Sequence, residues 1–191
     1  AQQIEEILKT MRKSTKKPVT IKIRKMPLET LLPLIKIAEK YCDAIGVHPR
    51  TQPQGYSGEP DIEFARQVKK LTKIPIIYSG NINNKQQADE FLREFDFVMI
   101  GRASFGNPNI FYELSGKNPK RKLTFSDYLK LAEKYKLNFK QIKLQAINFT
   151  RDFEGAPKVR NELSLAKDIE ELEEIMSRVK HTKNTEHKSN F

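Results

Sequence analysis

Lys22, His48, Gly80 and the pair Gly101-Arg102 each close a short apolar run, and residues of these types at strand ends can grip a phosphorylated ligand. Glycine lets backbone N–H groups approach phosphate oxygens, a following helix N-terminus adds partial positive charge, and Arg102 offers a bidentate fork. Alternatively, Gly80 and Gly101 only make tight turns and Arg102 is a surface residue. Lys22 lies in PVTIKI, 18–23, where an ammonium is costly unless it meets an anion or a ligand oxygen. An inward-pointing lysine of this kind answers an electron-rich cofactor; the other possibility is that it snorkels to solvent. His48 can donate a hydrogen bond to a ring or serve only in packing, and Arg50, Gln52, Gln54 and Tyr56 after it make a polar rim. Cys42 falls between a helix end and a strand start, away from these groups, and reads as packing. Asp61 reads as a helix cap. No Ser/His/Asp set, paired-carboxylate site or Walker-type loop can be drawn.

These residues need a β/α scaffold. Ile4, Ile7, Leu8 and Met11 have the spacing of an amphipathic helix, and strands are expected at 18–23, 44–48, 74–78 and 97–100 with helices between them. Strand–helix alternation of this kind builds a parallel sheet with right-handed crossovers, whose C-terminal strand ends carry the chemistry. The expected fold class is α/β: four β/α units, the C-terminal half of a TIM-type (β/α)₈ barrel, followed by a small all-helical domain. The expected divisions are a partial barrel over 1–116, a basic linker over 117–123, a helical domain over 124–180 and a disordered tail over 181–191. Three helices are expected in the second domain, from Phe125, Tyr128, Leu129, Ala132 and Tyr135; from Ile142, Ala146, Phe149 and Phe153; and from Leu165, Ile169, Leu172, Met176 and Val179.

The 191-residue chain carries 35 Lys plus Arg against 24 Asp plus Glu, a net charge of +11 that attracts polyanions. Twelve of the cations and only four acids fall within 117–160. The plain reading is a lysine-rich solvated face. Read as a single helix, Lys136, Lys140, Lys143 and Arg151 form a cationic stripe suited to a nucleic-acid backbone. One cysteine and three histidines exclude an internal disulfide and a zinc cluster, so no metal is expected. With no apolar run of membrane-spanning length and no signal-peptide layout, no membrane partner is expected and the default compartment is the cytoplasm.

Four segments together resemble the tRNA-dihydrouridine synthases, flavoproteins that reduce uridine in tRNA. They are VTIKIR at 19–24, VHPRTQPQGYSGEPD at 47–61, SGNI at 79–82 and IGRASFGNPNIF at 100–111; the chain from about 124 is similar to the family's tRNA-docking domain. The resemblance implies FMN as cofactor, with Lys22 and His48 at its ring system and Ser79, Gly80, Asn81, Gly101 and Arg102 at its phosphate. It implies NADPH as electron donor and tRNA as partner, met by Arg24, Arg50, Lys136, Lys140, Lys143 and Arg151. In the family NADPH reduces FMN, hydride passes to uridine C6, and a cysteine delivers the proton to C5. Ser79 and Asn81 depart from the commoner Asn and Asp. The family's Asn-x-Gly-Cys-Pro motif is absent, so no catalytic residue is assigned here. The acid cysteine is expected upstream of Ala1, in a longer synthase of which this is the C-terminal part. A missing barrel half or a second copy is then expected to cover the open strand edges. Two other readings stay open: another phosphate-binding β/α barrel, such as a sugar-phosphate isomerase, and a non-catalytic RNA-binding remnant.

Overall fold

A computed structural model describes residues 1–117, 121–151, 153 and 155–179. The expected tail at 181–191 and residues 118–120 of the expected linker lie outside the described residues. The chain forms two compact units, Ala1–Gly101 and Arg102–Phe191, so the division falls after Gly101 where the sequence carried the first unit on to 116.

The first unit runs α1 (Gln2–Ser14), β1 (Thr20–Arg24), α2 (Leu28–Tyr41), β2 (Ala44–His48), α3 (Ile62–Leu71), β3 (Ile76–Tyr78), α4 (Lys85–Glu94) and β4 (Phe97–Val98). Its strands form one parallel sheet in the order β1-β2-β3-β4. The register sets Lys22 beside Gly46 and Arg24 beside His48, and paired residues of a sheet share a face. Ile23, Ile45, Val47, Ile76 and Tyr78 take the opposite face and are buried. There the Tyr78 ring stacks on Phe91 and Phe95 beside α4, at centroid distances of 4.2 and 5.0 Å, which identifies the helix-covered side. On the other side Lys22 and Phe97 are exposed.

β3 starts at Ile76 because Pro75 has no N–H for the ladder, although its carbonyl accepts from Ile45. β4 is shorter than the expected 97–100, but the Met99 N–H still donates to the Tyr78 carbonyl. The expected apolar face of α1 is buried only at Leu8; Ile4, Ile7 and Met11 are exposed. Polar contacts tie α1 down instead: Lys40 and Tyr41 donate to Glu5, and Arg12 pairs with Asp43, which also accepts from the Val19 N–H.

In the second unit a 3-10 turn at Arg102–Ser104 and α5 (Ile110–Leu114) precede α6 (Phe125–Lys134), α7 (Phe139–Asn148), α8 (Ala156–Leu165) and α9 (Ile169–Ser177). Among the described residues four helices, α6 to α9, therefore stand where three were expected. Phe125, Leu129 and Ala132 of α6, Ile142 and Ala146 of α7, Leu163 of α8 and Leu172 and Ile175 of α9 make the core. A capping box between Thr124 and Asp127 starts α6, and Asn138 with Gln141 starts α7. Tyr135 and Leu165, expected to pack, close their helices in the open at 67% and 70% exposure.

Candidate functional site

The expected ring contacts meet on β1 and β2. Lys22 projects from the uncovered face and is exposed, so it carries no burial cost within this unit, unlike the lysine enclosed in an apolar strand that the sequence suggested. Its neighbour Gly46 keeps that spot low: a Cβ there would touch the Lys22 Cγ and Cβ at 3.5 and 3.6 Å. His48 ends β2 and is buried, with its ring centroid 6.4 Å from that of the exposed Tyr56. Arg24, beside His48, is half-buried and reaches across to donate to the Thr51 carbonyl at 3.3 Å.

The long loop after β2 is a self-bound structure. Arg50, expected to meet RNA, is 1% exposed; its Nε and NH2 donate to the Gly58 carbonyl at 3.2 and 2.6 Å. The guanidinium is consumed by backbone because a buried cation must find acceptors. Gln54 likewise turns inward, accepting from the Thr51 N–H and donating to the Glu59 carbonyl. Gly55 and Gly58 adopt left-handed φ of 57° and 63°, a conformation that admits the tight path. Asp61 closes the loop as expected, capping α3 by accepting from the Phe64 N–H. The Lys25 ammonium at 2.6 Å and that N–H hold the Asp61 carboxyl below its usual range.

The expected phosphate turn leaves β3 next to β2, with the Ser79 N–H donating to the Val47 carbonyl. Gly80 is required by packing: a Cβ would stand 2.7 Å from the Tyr78 hydroxyl and 3.0 Å from Pro60. Asn81 turns left-handed at φ 46° and gives its amide to the Glu59 carboxylate at 3.2 Å, so that side-chain donation goes to protein. α4 begins only at Lys85, capped by Asn84, so its N-terminus is set back from Gly80. Gly101, after β4, differs from Gly80 in having nothing within 4 Å of the Cβ position. Lys22 thus lies mid-way along β1, His48 ends β2, and Ser79 and Gly101 follow β3 and β4 of the same parallel sheet, while Arg102 opens the second unit.

The single-helix stripe is not formed. Lys136 is in the turn between α6 and α7 with φ 54°, and Arg151 lies beyond the end of α7. Only Lys140 and Lys143 are on α7, and the Lys143 ammonium donates to the Ser164 carbonyl and sits 4.9 Å from the Phe139 ring centre. Arg151 donates through NH1 to the Arg102 carbonyl at 2.7 Å. Sequence reasoning thus missed five internal partners: Thr51 for Arg24, Gly58 for Arg50, Glu59 for Asn81, Ser164 for Lys143, and Arg102 for Arg151. The closely spaced glycines 55 and 58 were the only signal, since they mark a loop that folds back.

Cys42 is buried at the end of α2, where burial pushes its thiol pKa up, against a role as acid or nucleophile. Among the described residues no helix is long and apolar enough to cross a membrane.

The family model for dihydrouridine synthase matches residues 1–190. The chain is 41% identical over 102 residues to a probable tRNA-dihydrouridine synthase of Rickettsia bellii, covering 50% of this chain and 31% of that protein. It is 36% identical over 114 residues to tRNA-dihydrouridine synthase B of Pasteurella multocida, covering 56% and 34%. With the enzyme of the same name from Vibrio parahaemolyticus it shares 35% over 118 residues, covering 58% and 36%. The matched stretch spans about a third of the length of these curated relatives. A match of that extent, over a parallel β/α sheet with lysine, histidine and glycine turns at its strand ends, places this chain in the dihydrouridine synthase family.

Proposed function

We propose that this chain supplies part of an FMN site and a tRNA-holding surface to an enzyme that reduces uridine in tRNA to dihydrouridine with NADPH. The observation that carries the reading is Lys22. It is a cation standing exposed on the uncovered face of a parallel sheet, beside a glycine that keeps the ground next to it clear, one strand away from His48. That environment suits a flat, electron-rich ring: the glycine leaves room for close approach, and the ammonium offers a positive charge and three donors. Bound there, FMN would supply hydride transfer to the uracil ring.

Lys22 orients the ring and favours its negatively charged form electrostatically. His48, held at the end of β2 beneath a pinned loop, sets a second hydrogen-bonding group at the same edge. The phosphate is held by backbone at Gly80 and Gly101 and by the Ser79 side chain, with Arg102, next in the chain, as its charge partner. Backbone carries more of that grip than the family pattern implies, because the Asn81 amide is engaged by Glu59. The proton for uridine C5 comes from a group other than Cys42. The four parallel strands form part of a (β/α)₈ barrel working in the cytoplasm. Lys136 and Lys140 are the basic residues offered to the tRNA backbone, while Arg24, Arg50, Lys143 and Arg151 serve first within the protein.

Titrating the chain with FMN and following quenching of flavin fluorescence tests the reading. Saturable quenching that Lys22→Met weakens is expected. Displacement of FMN by a sugar phosphate, with no ring dependence, would favour a different phosphate-binding barrel. No flavin binding together with salt-dependent tRNA binding would leave an RNA-binding module.

A further inference from the structure

Two independent observations fasten the segment after Gly101 to the end of α7. Arg151, just beyond that helix, donates NH1 to the Arg102 carbonyl at 2.7 Å and sets its guanidinium carbon 5.8 Å from the Phe105 ring centre. The same carbonyl accepts from the Phe105 N–H at 3.1 Å, so one oxygen both closes the turn and anchors it. Gly106, with φ 70°, lies so close to α7 that a Cβ would overlap the Asn148 carbonyl and the Phe149 nitrogen. A carbonyl with two lone pairs can accept both donors, and a guanidinium is rigid enough to hold that geometry while stacking on an aromatic face.

We infer that Arg151 is a positioning residue: with Gly106 it holds the Arg102–Gly106 turn on the C-terminal end of α7, and so fixes where the Arg102 side chain is presented. Its value for ligand binding rests on the proposed function, in which Arg102 meets the cofactor phosphate. The anchor itself does not. On this inference Arg151 acts through Arg102 and makes no contact with RNA, and the end of α7 and the phosphate arginine move as one piece. Whatever bends the end of α7 then changes the grip on the phosphate.

Hydrogen exchange of the amides of residues 103–107, read by mass spectrometry on the chain alone, tests the anchor without flavin or tRNA. Arg151→Met and Gly106→Ala should each speed exchange there at least tenfold, with the amides of α9 unchanged as a control on folding. Unaltered exchange in Arg151→Met overturns the inference. A second measurement compares FMN with riboflavin, which lacks the phosphate. Positioning predicts that Arg151→Met weakens FMN about tenfold and leaves riboflavin unchanged; equal loss of both, with exchange unaltered, overturns it. In tRNA binding, Arg151→Met should keep the slope of log K against log salt, whereas a slope reduced by about one unit with unaltered exchange would make Arg151 an RNA contact. Failure of flavin and tRNA binding alike, with exchange accelerated, would sink the proposed function and keep the anchor.

Discussion

The guanidinium of Arg50 holds the carbonyl of Gly58 with two donors from a position 1% exposed, so the two ends of the loop after β2 are tied together beneath its tip. His48 precedes the tie and Tyr56 lies within it, with their ring centroids 6.4 Å apart. Arg50→Met keeps most of the packing volume and leaves the Gly58 carbonyl without its donor. The expected cost is about 1.5–3 kcal/mol in urea denaturation, the range for hydrogen bonds made by a charged group. Proteolysis within residues 51–60 should quicken in parallel. An unchanged urea midpoint would mean that water replaces the guanidinium freely.

Gly80 and Gly101 follow successive strands, two residues past β3 and three past β4, and their surroundings differ. A methyl group at Gly80 would press on Pro60 and the Tyr78 hydroxyl, while at Gly101 it meets nothing within 4 Å. Gly80→Ala is therefore expected to destabilise the chain by about 1–3 kcal/mol through overpacking. Gly101→Ala should stay within about 0.5 kcal/mol of the parent, the range of a surface substitution. Any loss of FMN affinity in Gly101→Ala then reports on ligand approach, separate from folding. Equal stabilities for the two variants would contradict the packing described.

The strands and the helices of the first unit were legible because their signals are local: β-branched runs, 3.6-residue periodicity and Asp61 as a cap. β2 and α3 fall where the pattern put them. What was not legible depends on tertiary partners. A lysine within VTIKIR reads as enclosed, yet Lys22 is exposed because its alternate neighbours Ile21 and Ile23 turn toward the helices. Arg50, Lys143 and Arg151 read as surface charge, and only folding shows that each finds a backbone carbonyl. In the second unit the helices ending at Tyr135 and running through Ile142 were read apart, as α6 and α7 are; α8 over Ala156–Leu165 was not read, and the left-handed turn at Lys136, which breaks the cationic stripe, is one that lysine does not advertise. For the phosphate turn, glycine at position 80 was visible, but its crowding by the Tyr78 hydroxyl and Pro60 was not.

Tyr78 gives the sheet an alkaline limit. Its side chain is 1% exposed, and burial is the main reason its phenol is pushed up to about 12 from an ordinary 10.0. Below pH 10 the phenol is neutral folded or unfolded, and stability does not depend on it. Between pH 10 and about 12 the unfolded chain ionises first, so stability falls as pH rises through that window. Comparing urea midpoints at both ends of the window should show a larger drop for the parent than for Tyr78→Phe, which lacks the group. Since lysines titrate in the same range, only the difference between the two proteins measures Tyr78. Identical drops would place the phenol in water.

Lys22 and Arg102 can be separated by what each removes from flavin binding. Lys22 is exposed and makes its offer at the ring end of the proposed site, so Lys22→Met should change stability by less than about 0.5 kcal/mol. It should weaken FMN and riboflavin by the same factor, about tenfold, because both carry the ring and only one the phosphate. Arg102→Met should weaken FMN alone. The double variant should lose the two effects multiplicatively if ring and phosphate contacts are independent. Should Lys22→Met instead spare riboflavin and weaken only FMN, the lysine would be a phosphate ligand, and the ring would have to lie elsewhere than over the β1–β2 face. Flavin fluorescence titrations of the four proteins with the two ligands decide between these geometries.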